Sequence, residues 1–234
     1  MSGLLRRGVR RRRDAGVSVV ELAVTAAVGS VVLAGVASVA IGALDASTTI
    51  GVRAGTSGDA RIAGEVITRS LRVAARPKGE QAALVAATPT TVTFYALLNR
   101  SGGAQSTDTV PSYVELGWNG TCVTRRVTAG VVVASPPVGG PYYTWTPSGA
   151  STCVVRTTTA PAYAYYATAV LSTGGVDTVP LSLAAGSLTA GERRSVQSVE
   201  ARLTVVDPRN PAVPGAPVVS RVTLTNVLTD AGGL

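Results

Sequence analysis

Histidine is absent from this chain, and cysteine occurs only twice among its 234 residues. Without histidine, the chain lacks the side chain that most often serves as a general base and as a metal ligand near neutral pH. Two cysteines are too few for a zinc site built from cysteine alone. These absences argue against most enzyme classes and leave only chemistry based on carboxylates. We therefore expect no catalytic residues, no metal and no cofactor.

Charged and aromatic residues are also scarce, at 15% and 4% of the chain, whereas hydrophobic residues make up 46%. The mean hydropathy is +0.31. Disordered chains have the opposite composition, so the chain is expected to fold. The aromatic residues are few for a sugar cleft or a base-stacking surface. The length allows one ordinary domain with an appendage, or two small domains.

The net charge of +8 suggests a nucleic-acid-binding protein at first. The charge is concentrated in residues 1–16, which hold six arginines and one aspartate. Removal of these residues lowers the formal net charge from +8 to +3. A basic block directly before an apolar run is typical of a targeting signal. Nucleic acid is therefore not an expected partner.

The apolar run covers residues 17–44, and its only ionisable side chain is that of Glu21. As an α-helix these 28 residues would be about 42 Å long, at about 1.5 Å per residue. The hydrocarbon core of a bilayer is only about 30 Å thick, so the run predicts a membrane-spanning helix. The basic block precedes it, which places residues 1–16 in the cytoplasm and the chain from Asp45 onward outside.

Small residues recur every four positions along this run. They are Ala26, Ser30, Ala34, Ser38 and Gly42. Steps of four keep them on one side of a helix, where the backbone of a neighbouring helix can approach closely. We expect this stripe to pack against another helix, although a segment rich in Ala, Gly and Val also produces such spacings by chance.

The junction Gly16-Val17-Ser18-Val19-Val20-Glu21 resembles the cleavage and methylation motif of type IV prepilins, a family that includes the pseudopilins of type II secretion. The shared features are a basic leader, a glycine at the junction, an acid at the fifth position after it and a long apolar run. The chain departs from the family at Val17, where phenylalanine is usual.

This resemblance implies that a prepilin peptidase cuts between Gly16 and Val17 and methylates the new amine of Val17. It also implies that Glu21 pairs with the N-terminal amine of another pilin or pseudopilin subunit when an inner-membrane assembly platform moves the helix into a filament. An α-amine has a pKa of about 7.7–8.0 and is largely cationic below it. In an apolar helix bundle, its attraction to a carboxylate is stronger than in water.

Two other interpretations remain open at this stage. Small residues at 38–43 would suit cleavage of a secretory signal peptide, although an internal acid and a 28-residue run are unusual for one. The product would be a secreted or signal-anchored surface protein without a filament role. Alternatively, the arginine pairs at 125–126 and 193–194 would let a DNA-uptake pilus subunit bind DNA.

After the run, residues 45–60 contain three glycines with weak helix propensity, so we expect the helix to fray or break there. Helical spacing of apolar residues resumes near Asp59, and Pro77 should end the helix. The apolar positions are Ile62, Val66, Ile67, Leu71 and Ala74. We expect this stripe to pack against a β-sheet, as in pilin-like proteins.

From residue 78 onward, short β-rich runs alternate with turn residues. The predicted strands are 91–98, 113–118, 122–127, 131–134, 152–158, 162–166, 196–206 and 218–227. Asn119-Gly120 favours a hairpin with a type I′ turn. The expected fold is α+β and pilin-like, with a leader at 1–16, a membrane or filament-core helix at 17–44, an extracytoplasmic helix at 45–77 and an antiparallel β-rich domain at 78–234.

Two features of the β-rich region carry further expectations. The amphipathic strands near 195–205 and 221–227 resemble the C-terminal hairpin of J-type minor pseudopilins, which favours a minor subunit over a major one. Cys122 and Cys153 are 31 positions apart on two predicted strands. Outside the cytoplasm a disulfide between them is expected, with two free buried thiols as the alternative.

Overall fold

A computed structural model describes residues 18–98, 110–146, 150–170, 176–183 and 185–225. The predicted leader and the cleavage point at Gly16 and Val17 lie outside the described residues. The chain divides into two compact units, Met1–Thr48 and Thr49–Leu234.

One α-helix, α1, extends from Val19 to Arg72. The expected break over residues 45–60 is therefore wrong. Each glycine costs a helix only about 1 kcal/mol relative to alanine. Such a cost does not break a helix whose following turns are held by packing, because tertiary contacts supply most of the stability of helices in proteins.

The described part of the second unit is rich in antiparallel β-strands, which confirms the α+β class. Its elements are β1 (Leu84–Ala87), β2 (Val92–Ala96), β3 (Ser112–Trp118), β4 (Cys122–Thr128), β5 (Val131–Val132), β6 (Tyr143–Thr144), β7 (Thr152–Arg156), β8 (Ala162–Val170), β9 (Val176–Pro180), α2 (Ala190–Ser195), β10 (Val196–Val205) and β11 (Ala216–Thr223). A five-stranded sheet has the order β1-β2-β3-β4-β7, a four-stranded sheet has the order β11-β10-β8-β9, and β5 pairs with β6.

Every predicted strand is present, with ends that shift by up to four residues, and positions 226–227 of the last predicted strand lie outside the described residues. The strands that the sequence did not predict are β1, β6 and β9. Their sequences explain the omission, because β1 contains two alanines, β6 has two residues, and β9 contains Asp177 and Pro180. Alanine, aspartate and proline are depleted in strands, so β1 and β9 form only by pairing with a neighbouring strand of higher β-propensity.

The turn between β3 and β4 differs from the expected type I′ turn. The register pairs Trp118 with Val123, and the Asn119 N–H donates to the Cys122 carbonyl at 3.2 Å. Gly120 and Thr121 are therefore the central residues. Gly120 has a φ of +95°, and no described non-glycine residue has a positive φ, as expected for a type II′ turn. The hairpin is confirmed, but its turn type is wrong.

The second half of α1 contributes to one hydrophobic core together with both large sheets. Its buried face is made of Ala60, Ala63, Gly64, Ile67 and Leu71. The predicted stripe is thus only partly right, because Ile62 is 59% exposed. The small residues explain the difference, since they let the helix approach the sheet more closely than a face of isoleucine and valine.

The helix ends five residues before Pro77 because its last turn gives way to strand pairing. The Ala75 N–H donates to the Tyr95 carbonyl at 2.9 Å, and the Leu97 N–H donates to the Val73 carbonyl at 3.0 Å. Ala74 also forms an isolated bridge with Ala96. The segment after Arg72 therefore pairs with β2, and this competing set of hydrogen bonds terminates the helix before proline is reached.

Cys122 and Cys153 form a disulfide, with their Cα atoms 5.7 Å apart. The expectation of a disulfide is confirmed, and the alternative of two free thiols is wrong. The bond joins β4 to β7, the edge strand of the five-stranded sheet. Pairing between these strands is interrupted by a register shift after Val123, so the covalent link reinforces a short ladder.

The close approach of α1 to β11 predicts opposite effects of the same substitution at two glycines. A Cβ at Gly64 would lie 2.8 Å from Val218 Cγ1, whereas a Cβ at Gly58 would meet nothing within 4 Å. Gly64→Leu should lower the free energy of unfolding by about 1–3 kcal/mol through overpacking. Gly58→Leu should raise it by up to about 1 kcal/mol through helix propensity. Urea unfolding of the full chain in detergent, followed by tryptophan fluorescence, measures both, and equal effects would contradict the packing described.

The disulfide predicts a redox-dependent stability. Replacement of both Cys122 and Cys153 by serine should lower the free energy of unfolding by about 3–4 kcal/mol, because the closed loop restricts the unfolded chain. The measurement is urea unfolding with and without a reducing agent. Reductant should destabilise the native chain and leave the serine variant unchanged, and a native chain that ignores reductant would contradict the prediction.

Candidate functional site

The start of α1 carries the chemistry that the sequence singled out. The Ser18 carbonyl accepts a hydrogen bond from the Leu22 N–H at 3.0 Å, and Ser18 Oγ accepts one from the Val20 N–H at 3.3 Å. Serine is a favoured N-cap residue, so the helix begins immediately after the predicted cleavage point. Glu21 lies in the first helical turn, where the helix dipole favours a negative charge.

Glu21 has the spacing of a capping-box acid relative to Ser18, which offers a purely structural role for it. The structure does not show that role, because the described part of the chain provides the Glu21 carboxylate with no hydrogen bond and no ion pair. The side chain is also exposed. Among the described residues, Glu21 is therefore a carboxylate without a partner in an otherwise apolar segment.

Helix α2 shows what a capping glutamate does in this same chain. The Glu192 carboxylate accepts from the Thr189 N–H at 2.7 Å, and Thr189 Oγ1 accepts from the Glu192 N–H at 3.3 Å. The Thr189 hydroxyl also donates to the Glu192 carboxylate at 2.7 Å, and this bond and the one from the Thr189 N–H lower the pKa of Glu192. The spacing Thr-x-x-Glu is a helix-start signal that can be recognised in the sequence, although α2 was not among the predicted elements. The contrast supports a different role for Glu21.

The other polar side chains of the apolar segment are satisfied within the helix itself. Thr25 Oγ1 donates to the Glu21 carbonyl at 2.9 Å, Ser30 Oγ to the Ala27 carbonyl at 2.8 Å and Ser38 Oγ to the Gly35 carbonyl at 2.8 Å. A hydroxyl that bonds to its own helix has no need of water, which is what an apolar surrounding requires. Glu21 is thus the one side chain of 18–44 that requires a partner from outside.

By length and composition, α1 contains a segment that is apolar enough to cross a membrane, and that segment has no buried residues. Its exposed side chains include Val24, Val28, Val31, Val32 and Leu33, each more than half exposed. A continuous apolar surface of this kind is stable in lipid or against other helices. Its exposure to water is unfavourable. An anchor in a membrane is therefore a physical possibility for this helix.

The predicted small-residue stripe, Ala26, Ser30, Ala34, Ser38 and Gly42, lies within this exposed segment of α1. A Cβ placed at Gly42 would meet nothing within 4 Å. None of the described residues covers the stripe, and a neighbouring helix could approach its backbone closely.

The β-rich unit offers no metal site among its described residues, because no group of three His, Cys, Asp or Glu side chains gathers there. Two clefts have volumes of about 410 and 330 Å³, and each is lined by both acidic and basic side chains. The first contains Asp59 and Asp207 beside Arg156 and Arg209.

The two arginine pairs lie on different elements. Arg125 and Arg126 are half-buried in β4, where Arg126 Nη1 lies 3.7 Å from Glu115 Oε2 and burial lowers the pKa of Arg125. Arg193 Nη1 donates to the Leu188 carbonyl at 2.9 Å at the end of α2. Both pairs are partly engaged by the protein itself.

A scan of protein-family models finds no match to the chain, and a comparison with curated proteins finds none either. The function must therefore be inferred from the residues and their geometry.

The exposure of the apolar segment predicts a matched pair of effects on membrane insertion. Val31→Arg combined with Val32→Arg should release most of the protein from membranes, because each arginine at a helix centre costs about 2.5–3.5 kcal/mol on insertion scales. Ser30→Ala should leave insertion unchanged, because that hydroxyl contacts only its own helix. Extraction of membranes with alkaline carbonate measures both, and full retention of the double-arginine variant would exclude a spanning helix.

Proposed function

We propose that the chain is a pilin-like, minor structural subunit of a type IV pilus or a type II secretion pseudopilus. A prepilin peptidase would cut between Gly16 and Val17 and methylate the amine of Val17, and an inner-membrane assembly platform would draw α1 into the filament. The observation that carries this proposal is Glu21, a carboxylate at the start of an exposed apolar helix for which residues 18–98 and the later described ranges supply no partner.

The proposed role of Glu21 follows from the energy of a lone charge in an apolar surrounding. A charge at a helix centre costs about 2.5–3.5 kcal/mol on insertion scales, and less near the membrane surface. In a filament, the cationic amine of Val17 of a neighbouring subunit would compensate it. Removal of one partner of such a buried pair costs about 3–5 kcal/mol. Subunits out of register would suffer that penalty, so Glu21 would select one register.

The remainder of α1 fits the same assembly. The stripe from Ala26 to Gly42 would let neighbouring helices approach closely in the filament core, where van der Waals packing replaces contact with lipid. Before assembly, the subunit would sit in the cytoplasmic membrane with its N-terminus inside and its β-rich domain outside. The disulfide is consistent with that oxidising side of the membrane.

A DNA-binding role has less support. The chain without residues 1–16 carries a net charge of only +3, and the two arginine pairs are separated on β4 and α2. Nucleic-acid binding requires several arginines or lysines that are free to contact successive phosphates. No specific observation favours this function or a secreted surface protein over the filament subunit.

The proposal predicts that Glu21→Gln reduces incorporation into filaments at least about tenfold, because the isosteric amide cannot form the ion pair. The measurement is an immunoblot of the sheared filament fraction against the cell fraction in the source organism. N-terminal sequencing of the cell-associated protein should begin at Val17 in both the native chain and the variant.

Asp45→Asn is the matched control, since Asp45 is the next acid along α1 and lies outside the apolar run. It should assemble normally. Normal assembly of the Glu21→Gln variant would refute the role of that carboxylate. An N-terminus near residue 44 would instead identify a secretory signal peptide and would refute the filament proposal.

A further inference from the structure

The outer face of the four-stranded sheet carries a group of polar side chains that the filament proposal does not use. Within the β10–β11 ladder, Glu200 pairs directly with Arg221, and Arg202 pairs with Val219. Directly opposed residues of antiparallel strands point to the same face. Tyr166 of β8 reaches the same group, since its hydroxyl donates to Glu200 Oε2 at 3.1 Å. We call Tyr166, Glu200, Arg202, Val219 and Arg221 the sheet-face cluster.

Arg221 is held in place by two contacts. Its guanidinium carbon lies 3.7 Å from the centre of the Tyr166 ring, and its Nε donates to Ser198 Oγ at 3.1 Å. Stacking on an aromatic ring and one hydrogen bond at Nε orient the planar group. The Arg221 side chain is exposed, and no described residue forms an ion pair with it.

The single carboxylate of the cluster is already engaged. Arg202 Nε donates to Glu200 Oε1 at 2.6 Å, and the Glu200 side chain is only 12% exposed. The hydrogen bond from Arg202 lowers the pKa of Glu200, so this carboxylate stays ionised near neutral pH. The cluster contains two guanidinium groups and one carboxylate, and that carboxylate pairs with Arg202, so the positive charge of Arg221 is left without an ion pair among the described residues.

An exposed apolar side chain lies between the two arginines. Val219 is 65% exposed, faces Arg202 across the ladder and precedes Arg221 by two positions on the same face of β11. Arginine and tyrosine are typical of the energetically dominant positions in protein interfaces. The arrangement therefore suits a ligand that carries both a carboxylate and an apolar side chain.

We propose that the sheet-face cluster binds an acidic, partly apolar segment of a partner polypeptide, with a carboxylate of that segment held by the terminal nitrogens of Arg221. The guanidinium fork matches the geometry of a carboxylate and forms charge-assisted hydrogen bonds with it. Val219 supplies the apolar contact next to this bond. Arg202 adds positive charge and keeps Glu200 from repelling the ligand.

A polypeptide fits this surface better than a nucleic acid does. Only one positive charge is in excess at the cluster, whereas a nucleic acid presents a continuous row of phosphates. Carboxylates of a partner strand or loop are isolated charges among apolar side chains, which is the pattern that the cluster complements. The proposal concerns the β-rich unit alone and does not depend on the fate of α1 or Glu21.

The test uses the full chain in detergent micelles and a fluorescein-labelled, N-acetylated and C-amidated peptide, Glu-Val-Glu-Leu-Glu. Fluorescence anisotropy should show saturable binding below about 1 mM peptide, and the counterpart with glutamine at each glutamate should bind at least about tenfold more weakly. Arg221→Gln with Arg202→Gln should weaken binding at least about tenfold. Arg221→Lys should weaken it about threefold or more, because lysine keeps the charge but loses the fork and the stacking.

Arg209→Gln is the matched control, because it removes the same charge from an exposed arginine outside the sheets. Its affinity should stay within about twofold of that of the native chain, as charge alone is not the recognised feature. Equal losses from Arg209→Gln and from the Arg221→Gln/Arg202→Gln double variant, equal binding of both peptides, or no saturation would overturn the proposal. Displacement of the peptide by a short DNA duplex at equimolar concentration would overturn it in favour of a nucleic-acid partner. A variant counts as folded if its melting temperature lies within about 3 °C of that of the native chain. For a domain of this size, that shift corresponds to a change in the free energy of unfolding on the order of 1 kcal/mol.

Discussion

The packing of small side chains from α1 into the core of the β-rich unit is the interaction on which this domain depends. Ala60, Ala63 and Gly64 are buried, and Gly64 faces Val218 of β11 at close range. Apolar residues of both large sheets belong to the same core cluster as this helix face. Without the helix, the sheets would expose that face to water, and no sheet is stable with a large apolar face exposed. The helix is therefore a structural part of the domain.

A different constraint acts on the first half of α1. There, valine, leucine and alanine surround the whole helix, and the hydroxyl groups bond to carbonyls one turn earlier. In the second half, a buried face made of small residues alternates with exposed arginines and acids. The change in pattern along one continuous helix separates a segment suited to lipid or to other helices from a segment suited to a sheet and water. Glu21 is the exception in the first segment, and that exception is the basis of the proposed assembly role.

The two proposals concern surfaces of different chemistry. On α1, the negative charge of Glu21 has no partner in the part of the chain that the structure describes, and a cation would compensate it strongly because the surroundings are apolar. On the sheet face, an excess guanidinium group is exposed to water, where an ion pair contributes little unless geometry and neighbouring apolar contacts assist it. Tyr166 and Ser198 supply that geometry for Arg221. Assembly and partner binding would thus be separable functions of one chain.

Features that depend on neighbouring residues along the chain could be predicted from the sequence. These are the apolar run of 17–44, the isolated acid at Glu21, the alternation of β10 and the existence of the hairpin near Asn119-Gly120, because periodicity and local propensity set them. Prediction failed where pairing between distant segments overrides propensity. The helix continued through its glycines, it ended early because residues 73–75 pair with β2, and the poor strand formers of β1 and β9 were recruited by their neighbours. Only the tertiary structure brought Tyr166, Glu200 and Arg221 together, since the register of three strands aligns residues up to 55 positions apart. The alternation along one strand shows which side chains are buried, but the register also depends on the partner strands, which lie far along the chain.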